Sequence, residues 1–280
     1  MITPSVERKR DVFWTLHESG CFVIPNPWDA GSAQLLGGMG FKALATTSSG
    51  HAWSNAKPDG HMQRDAVLDH IRHMVQATDL PLNADFESGY GEQPSDVFES
   101  VQLAVATGVA GLSIEDSSGN PREPVRDFLD AIERVRAARE AIDASGSSTL
   151  LVARAENYFV GRPDLPDTIK RLRAYAEVGA DCLYAPGIKT RDEIAAVVRA
   201  VAPKPVNVLI GWNSDLTVSE LSALGVRRVS VGGALARAAW HGLYSAAQAL
   251  SEGRFDAFAN SPTGSELNDL FSATASTQSR

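Results

Sequence analysis

Eight short apolar runs, each ending in polar or glycine residues and each followed by a longer charged stretch, constrain this chain more than any other feature. The first four are "CFVIPNPWD" (21–29), "FKALATTSSG" (41–50), "LPLNADFESG" (80–89) and "VAGLSIEDSSG" (109–119). The others are "TLLVARAENY" (149–158), "ADCLYAPG" (180–187), "PVNVLIGW" (205–212) and "VRRVSVGGA" (226–234). Runs of this length, rich in Val, Ile and Leu, read as buried strands of a parallel sheet. The stretches between them carry apolar residues at helical spacing, as in "DVFESVQLAVATG" (96–108) and "DLPDTIKRLRAYAEVG" (164–179). Gly108, Gly179 and Gly225 stand where left-handed helix caps are expected.

Eight strand–helix units predict an α/β fold, a closed (β/α)8 TIM-type barrel. The rival, a doubly wound open sheet, usually has fewer strands and a glycine-rich first turn, and "PNPWDAGSA" is a poor dinucleotide fingerprint. No Pro-, Ser- or Gly-rich break interrupts the rhythm, so residues 1–280 read as a single barrel domain. Residues 235–271 form a C-terminal helical extension striped by Trp240, Leu243, Tyr244, Ala247 and Leu250. It is expected to pack on its own barrel or on a second subunit, and 272–280 to be a flexible tail.

The net charge of −8 leaves no basic footprint for nucleic acid. The arginine-rich "RVRAAREAI" (134–142) reads as the solvated face of a helix. Cys21 and Cys182 lie in separate apolar runs, so two buried thiols and a reducing cytoplasm are expected rather than a disulfide. "MITPSVERKRDVFWTLH" is charged and helical, unlike a secretory leader, and no apolar run is long enough for a membrane span.

In a barrel the C-terminal ends of all strands meet at one mouth. That places Asp29, Ser48-Ser49-Gly50, Asp85 and Glu87, Glu115 and Asp116, Arg154 with Glu156 and Asn157, and Asn207 at one level. Asp59 and Asp65 lie in the loop after the second strand. Several acids at one mouth repel one another unless a cation neutralises them. Oxygen donors without a His/Cys cluster fit Mg²⁺ or Mn²⁺ rather than zinc. Asp85 and Glu87, two apart, are expected to face the same side of a strand. Of Glu115 and Asp116, only one can face the ion. Arg154, closing the run "TLLVAR", needs an anion, either Glu115 or Glu156 or a substrate carboxylate. None of the six histidines reads as a general base, and there is no nucleophile elbow.

The order "NPWDAGSA", "TTSSG", "DG", "NADFESGYG", "GLSIED", "VARAENYF", "LYAPG" and "KPVNVL" resembles the isocitrate lyase and phosphoenolpyruvate mutase superfamily over residues 10–271. It looks most like the subgroup of 2-methylisocitrate lyases and phosphonomutases. The resemblance implies a barrel that binds Mg²⁺ and a 2-oxo or 2-hydroxy acid, and makes or breaks a C–C or P–C bond through an enolate. It implies Asp85 as the direct metal ligand, with Asp59, Glu87 and Glu115 holding the metal's waters. Ser48, Ser49 and Gly50 would bind the substrate carboxylate, Arg154 the reacting end and Asn207 another part of the substrate, while Trp28 and Asp29 would flank the oxyanion. It further implies a homodimer or homotetramer that exchanges C-terminal helices.

Two departures stand out. The metal pair is "DFE" where Asp-x-Asp is usual, and the loop after the fourth strand reads "SSGNPREPVRDF". The lyases carry a "K-R-C-G-H"-like loop there and the mutases a lysine with asparagines. Asn120, Arg122 and Glu123 are the nearest polar residues, so the groups expected to act in the chemistry are Arg154, Glu115, Asp59 and Asn120. The expectation is an Mg²⁺-dependent carbon–carbon lyase of a small 2-oxo or 2-hydroxy dicarboxylic acid. The alternatives are an oxaloacetate decarboxylase, a phosphonopyruvate mutase or hydrolase, and a non-catalytic barrel that binds a small acid.

Overall fold

The computed structural model describes residues 4–278, with side chains as far as 272. All eight apolar runs contain strands: β1 (Phe22–Ile24), β2 (Leu44–Ala45), β3 (Leu82–Asp85), β4 (Gly111–Glu115), β5 (Leu150–Arg154), β6 (Cys182–Tyr184), β7 (Val206–Leu209) and β8 (Arg228–Ser230). Each is parallel to its neighbours, in the order β1-β8-β7-β6-β5-β4-β3-β2. The two ends of that series meet, because the Ala45 N–H donates to the Pro25 carbonyl at 3.1 Å. Asn26 fastens the same seam. Its amide donates to the Thr46 carbonyl at 2.9 Å, and its Oδ1 accepts from the Val231 and Gly232 N–H groups, each at 2.9 Å. The result is the (β/α)8 barrel that the alternation predicted.

Helices α2 (Ala30–Gly38), α3 (Ser48–Ser54), α6 (Phe128–Ala144), α7 (Leu165–Glu177), α8 (Arg191–Val201) and α9 (Val218–Ala223) start at side-chain N-caps: Asp29, Thr47, Asp127, Asp164, Thr190 and Thr217. Helices α4 (Arg64–Gln76) and α5 (Pro94–Val105) complete the ring. Gly108, Gly179 and Gly225 all have positive φ, as left-handed caps require.

Alternation along the strands gives two apolar layers. Leu112, Ile114, Leu151, Leu183 and Val208 face outward and are buried beneath the helices. Inside, Phe13 of α1 (Val6–Glu18) plugs the bottom of the barrel against Ile24, Leu150, Val152 and Cys182. Above that plug the inner face turns polar. Cys182 is buried, Cys21 is half-buried, and both are free thiols.

The extension forms α10 (Ala234–Ser251) and α11 (Gly264–Gln278). α11 packs across α2 of its own chain, Phe271 lying over Gly31. The backbone of α11 is described to Gln278, and residues 279–280 of the tail expected at 272–280 lie outside the described residues. α10 leaves Trp240, Leu243 and Tyr244 exposed. Among the described residues no helix is long and apolar enough to cross a membrane.

Neighbouring acids at the end of β4 part company, as strand alternation demands. Glu115 turns inward, whereas Asp116 lies behind the barrel wall, its side chain 2% exposed. Its Oδ2 accepts from the Tyr175 hydroxyl at 2.6 Å and from Arg171 at 3.2 Å, and its Oδ1 from the Glu156 N–H at 2.7 Å. Asp116 thus ties the exit of β5 to α7 and sets where Glu156 begins. Removing one partner of a buried ion pair costs about 3–5 kcal/mol. Asp116→Ala is expected to lower the urea unfolding free energy by about that much, and a loss below about 1 kcal/mol would contradict this bracing role.

Candidate active site

Glu115, Arg154, Tyr184, Asn207 and Arg228 stand side by side on five successive strands. Cross-strand partners share a face, so one inward-facing residue of each strand turns all five toward the barrel axis. Glu115, Arg154, Tyr184 and Arg228 meet other inward residues at a cavity of about 700 Å³ that opens at the C-terminal ends of the strands. Asp59, Asp85, Glu87, Glu115, Glu156 and Arg154 line it.

Arg154 is the hub. Its Nη1 donates to Asp85 Oδ1 at 2.8 Å and its Nε to Glu156 Oε1 at 2.8 Å, while its Nη2 lies 3.0 Å from Glu115 Oε2. Its guanidinium stacks 5.2 Å from the centre of the Tyr184 ring. Burial works against the Arg154 charge, but the pull of Glu115, Glu156 and Asp85 outweighs it and raises its pKa. The acids show the opposite balance. Burial raises Glu115 and takes Glu156 to about 7, with Arg154 opposing both shifts. Glu87 is pushed up to about 7 by burial and by the charges of Asp85 and Asp59, although the Tyr90 hydroxyl donates to it at 2.7 Å. At the rim, desolvation and the charge of Asp85 raise Asp59, and the Ser48 hydroxyl bonds to it.

Strand alternation is not what brings Glu87 to the cavity. β3 ends at Asp85, and Glu87 follows in a turn with φ +46°, left-handed backbone that a non-glycine residue adopts at a cost. Its carboxylate therefore enters from the rim. Ser48 and Ser49 line the cavity, and the Ser48 N–H is already given to Asp85 Oδ2 at 2.9 Å.

Several expected site residues have other tasks. Asp29 is exposed and caps α2 through the Ser32 N–H at 2.7 Å, and Trp28 packs beside Gly50; neither lines the cavity. Gly50 is buried, and a side chain there would collide with Thr47 and Trp28, so close packing rather than ligand contact demands glycine. Asn207 is fully buried below the cavity, donating to Ser230 at 2.9 Å and accepting from Arg228 Nε at 2.8 Å; Leu209, two residues on, lines the cavity instead. Asn120 accepts from the Arg122 N–H at 3.0 Å within its own loop, which a Ser117–Val125 bridge folds back on itself; Ser117 and Gly119 are the loop residues that line the cavity. Glu156 takes the place beside Arg154 that the sequence reading allowed it, whereas Arg228 was given no role. Arg228 had a signal: like Arg154, it is an arginine inside an apolar strand run.

The five carboxylates outnumber the three arginines that line the cavity, Arg154, Arg228 and Arg237, and the donors of the acid cluster are all oxygen. That chemistry fits a hard divalent cation. Among the described residues no three carboxylate, histidine or cysteine side chains form a ready-made coordination set. Mg²⁺ needs none, since it keeps several waters and takes one or two carboxylates directly. Asp85, with two acceptor oxygens each able to accept more than once, fits a direct ligand.

A buried carboxyl whose pKa is higher folded than unfolded penalises the folded state above its unfolded value. For Glu87 the penalty grows from pH 4.5 to about 7 and is constant beyond. At about 1.4 kcal/mol per unit, its upper bound is about 3 kcal/mol. Glu87→Gln is therefore expected to stabilise the metal-free protein at pH 8 but not at pH 4.5, and to weaken Mg²⁺ binding. Urea titrations at both pH values check this, and equal effects at both would contradict it.

Comparison with known proteins follows the same lines. Residues 13–251 match the phosphoenolpyruvate phosphomutase family. A candidate lyase/mutase from Burkholderia cenocepacia J2315 is 48% identical, superposes with a TM-score of 0.93, and shares 95% of this chain and 97% of its own. An uncharacterized protein of Mycobacterium tuberculosis H37Rv is 33% identical over 244 residues, 86% of this chain and 89% of its own. An oxaloacetate decarboxylase of Bradyrhizobium sp. ORS 278 is 32% identical over 195 residues, 67% of this chain and 65% of its own.

Proposed function

The chain belongs to the phosphoenolpyruvate phosphomutase family, within the isocitrate lyase/phosphoenolpyruvate mutase superfamily of small-acid lyases and mutases, and from that footing we propose that it is an Mg²⁺-dependent carbon–carbon lyase of a small 2-oxo or 2-hydroxy dicarboxylic acid. One observation carries the reading: Asp85, Glu115 and Glu156 converge on Arg154 in a cavity that Asp59 and Glu87 also line. When bound, Mg²⁺ or Mn²⁺ supplies Lewis acidity toward the substrate's 2-oxygen and the adjacent carboxylate. Asp85 would hold it directly, and Asp59, Glu87 and Glu115 through water. Ser48 and Ser49 would orient the substrate carboxylate. Arg154, released in part from its acids as they turn toward the cation, would clamp the reacting end. Cleavage of the bond next to the carbon that bears a 2-hydroxyl would pass the hydroxyl proton to a cavity carboxylate such as Glu115. It would turn that carbon into a carbonyl and leave the bonding pair on the other fragment as an enolate, which Arg154 would stabilise until it takes a proton from water. Phe159, Val160, Leu209 and Trp212 give the cavity an apolar wall for the carbon skeleton.

Decarboxylation of oxaloacetate is the second reading. The loop after β4 favours it, because Asn120 is engaged within that loop and neither cysteine nor lysine stands between 117 and 127. The Bradyrhizobium relative bears that activity in its name.

The test is release of pyruvate or glyoxylate with Mg²⁺ from oxaloacetate, 2-methylisocitrate, 2,3-dimethylmalate, isocitrate and phosphonopyruvate. Turnover of one diacid is expected, falling on the order of 10³-fold in Asp85→Ala and in Arg154→Ala with circular dichroism unchanged. Full activity in Asp85→Ala would sink the reading. Phosphonopyruvate turning over alone would move the assignment to the mutases or hydrolases. Metal-dependent oxalate binding without any turnover would leave a small-acid-binding barrel.

Two copies are further proposed to pair through α10, whose Leu243 and Tyr244 are 58% and 69% exposed. Leu243→Glu with Tyr244→Glu is expected to move the protein from dimer or tetramer to monomer in sedimentation velocity, and an unchanged profile would refute that interface.

A further inference from the structure

We propose that Arg228 forms an anion subsite at the floor of the cavity, one layer below the acid cluster, and that it selects substrates carrying a second acidic group. The identity of the ligand rests on the lyase reading above; the subsite itself rests on the surroundings of Arg228.

Arg228 is 3% exposed and lines the cavity. Its Nε donates to Asn207 Oδ1 at 2.8 Å and its Nη1 to Asn83 Oδ1 at 3.3 Å, both neutral amides. Among the described residues no carboxylate lies within ion-pair distance of it. Burial lowers its pKa, the nearby Cys182 and Tyr184 oppose that shift, and Arg154 adds repulsion. Cys182 and Tyr184 bring no negative charge at neutral pH, for burial raises the thiol and takes the phenol to about 12.

The other buried arginines are settled differently. Arg171 pairs with Asp116 and Asp167, Arg134 gives its Nη groups to the Ser88, Gly91 and Glu92 carbonyls, and Arg10 donates to the Val105 and Val109 carbonyls; none of them lines the cavity. Arg228 alone among these four keeps its charge beside open space without a counter-charge, and such a charge costs several kcal/mol to bury. An anion entering the cavity relieves that cost.

The cradle is already built. Asn207 is held by Ser230 at 2.9 Å and Asn83 by the Ala84 carbonyl at 3.1 Å, so both amide oxygens are turned to the guanidinium before any ligand arrives. Ser113 and Ser230 add hydroxyls to the same floor. Asn83 lies two residues before Asp85 on β3, a rise of about 7 Å. A four-carbon diacid with one end at a cation held by Asp85 would bring its other carboxylate down toward the level of Arg228, where a monoacid has no such group.

Calorimetry on the full chain with Mg²⁺ separates the possibilities, using oxalate, malate and 2-hydroxybutyrate, in which a methyl group replaces the distal carboxylate of malate. Wild type is expected to bind malate at least about tenfold tighter than 2-hydroxybutyrate. Arg228→Gln should weaken malate about tenfold or more while changing oxalate and 2-hydroxybutyrate less than about threefold, and Arg228→Lys should keep part of the preference. Equal weakening of malate and 2-hydroxybutyrate in Arg228→Gln, or no preference in wild type, would overturn the subsite. If Arg228→Gln does not fold, the wild-type comparison and Arg228→Lys decide. Failure of oxalate to bind wild type would instead count against the metal-dependent lyase reading, and the malate comparison would still judge Arg228.

Discussion

One guanidinium shared by three carboxylates organises this molecule. Asp85, Glu115 and Glu156 come from the ends of β3 and β4 and from just beyond β5, and each takes a different nitrogen of Arg154. Lysine would put a single point charge there and could not divide it along three fixed directions. The arrangement exists only because parallel strands in a barrel deliver their ends to one place. Its incompleteness matters equally: the five acids of the cavity outnumber the three arginines that line it, so the acid level suits a cation. Burial raises the pKa values of Glu87 and Glu156, and the neighbouring acids add to both shifts.

The inner face of the barrel is graded along its axis. Phe13, Leu150, Val152 and Cys182 close the bottom with apolar volume. Asn83, Asn207 and Arg228 form a polar middle, and the acids with Arg154 form the top. Each polar level is held by hydrogen bonds, as burial requires, but the middle level carries charge without a protein counter-ion. Backbone strain gathers at the top, where Glu87 and Tyr90 both take left-handed conformations in the turn after β3. That turn carries a carboxylate into the cavity and the hydroxyl that holds it, so the strain accompanies the placement of both groups.

Much of this was legible beforehand, for specific reasons. Eight apolar runs with helical stretches between them admit few architectures, and the eight strands fall inside those runs. Acids and an arginine at strand ends were readable as one mouth because barrel geometry leaves no other place for them. Motif resemblance carried less far. "NPWD" and "SSG" sit near the site in sequence, yet Asp29 caps a helix and Gly50 makes room for Trp28. Asn207 resembled a substrate contact, but a two-residue difference along β7 puts it beneath the cavity and Leu209 beside it. Asn120 faces its own loop because a turn can satisfy an amide more cheaply than a distant cavity can.

The sequence alone determined the periodicity, and with it the strands, the helix caps and the chemical character of each strand end, because these follow from interactions within a few residues of the chain. Tertiary structure decided which of those residues meet. Closure through Ala45 and Asn26, and the register that sets Glu115, Arg154, Tyr184, Asn207 and Arg228 side by side, join residues far apart in the chain. Whether Arg228 is a structural residue or a waiting charge depends on what lies across the barrel from it. No local pattern contains that information, since the amide that faces it, Asn83, is 145 residues away in the chain.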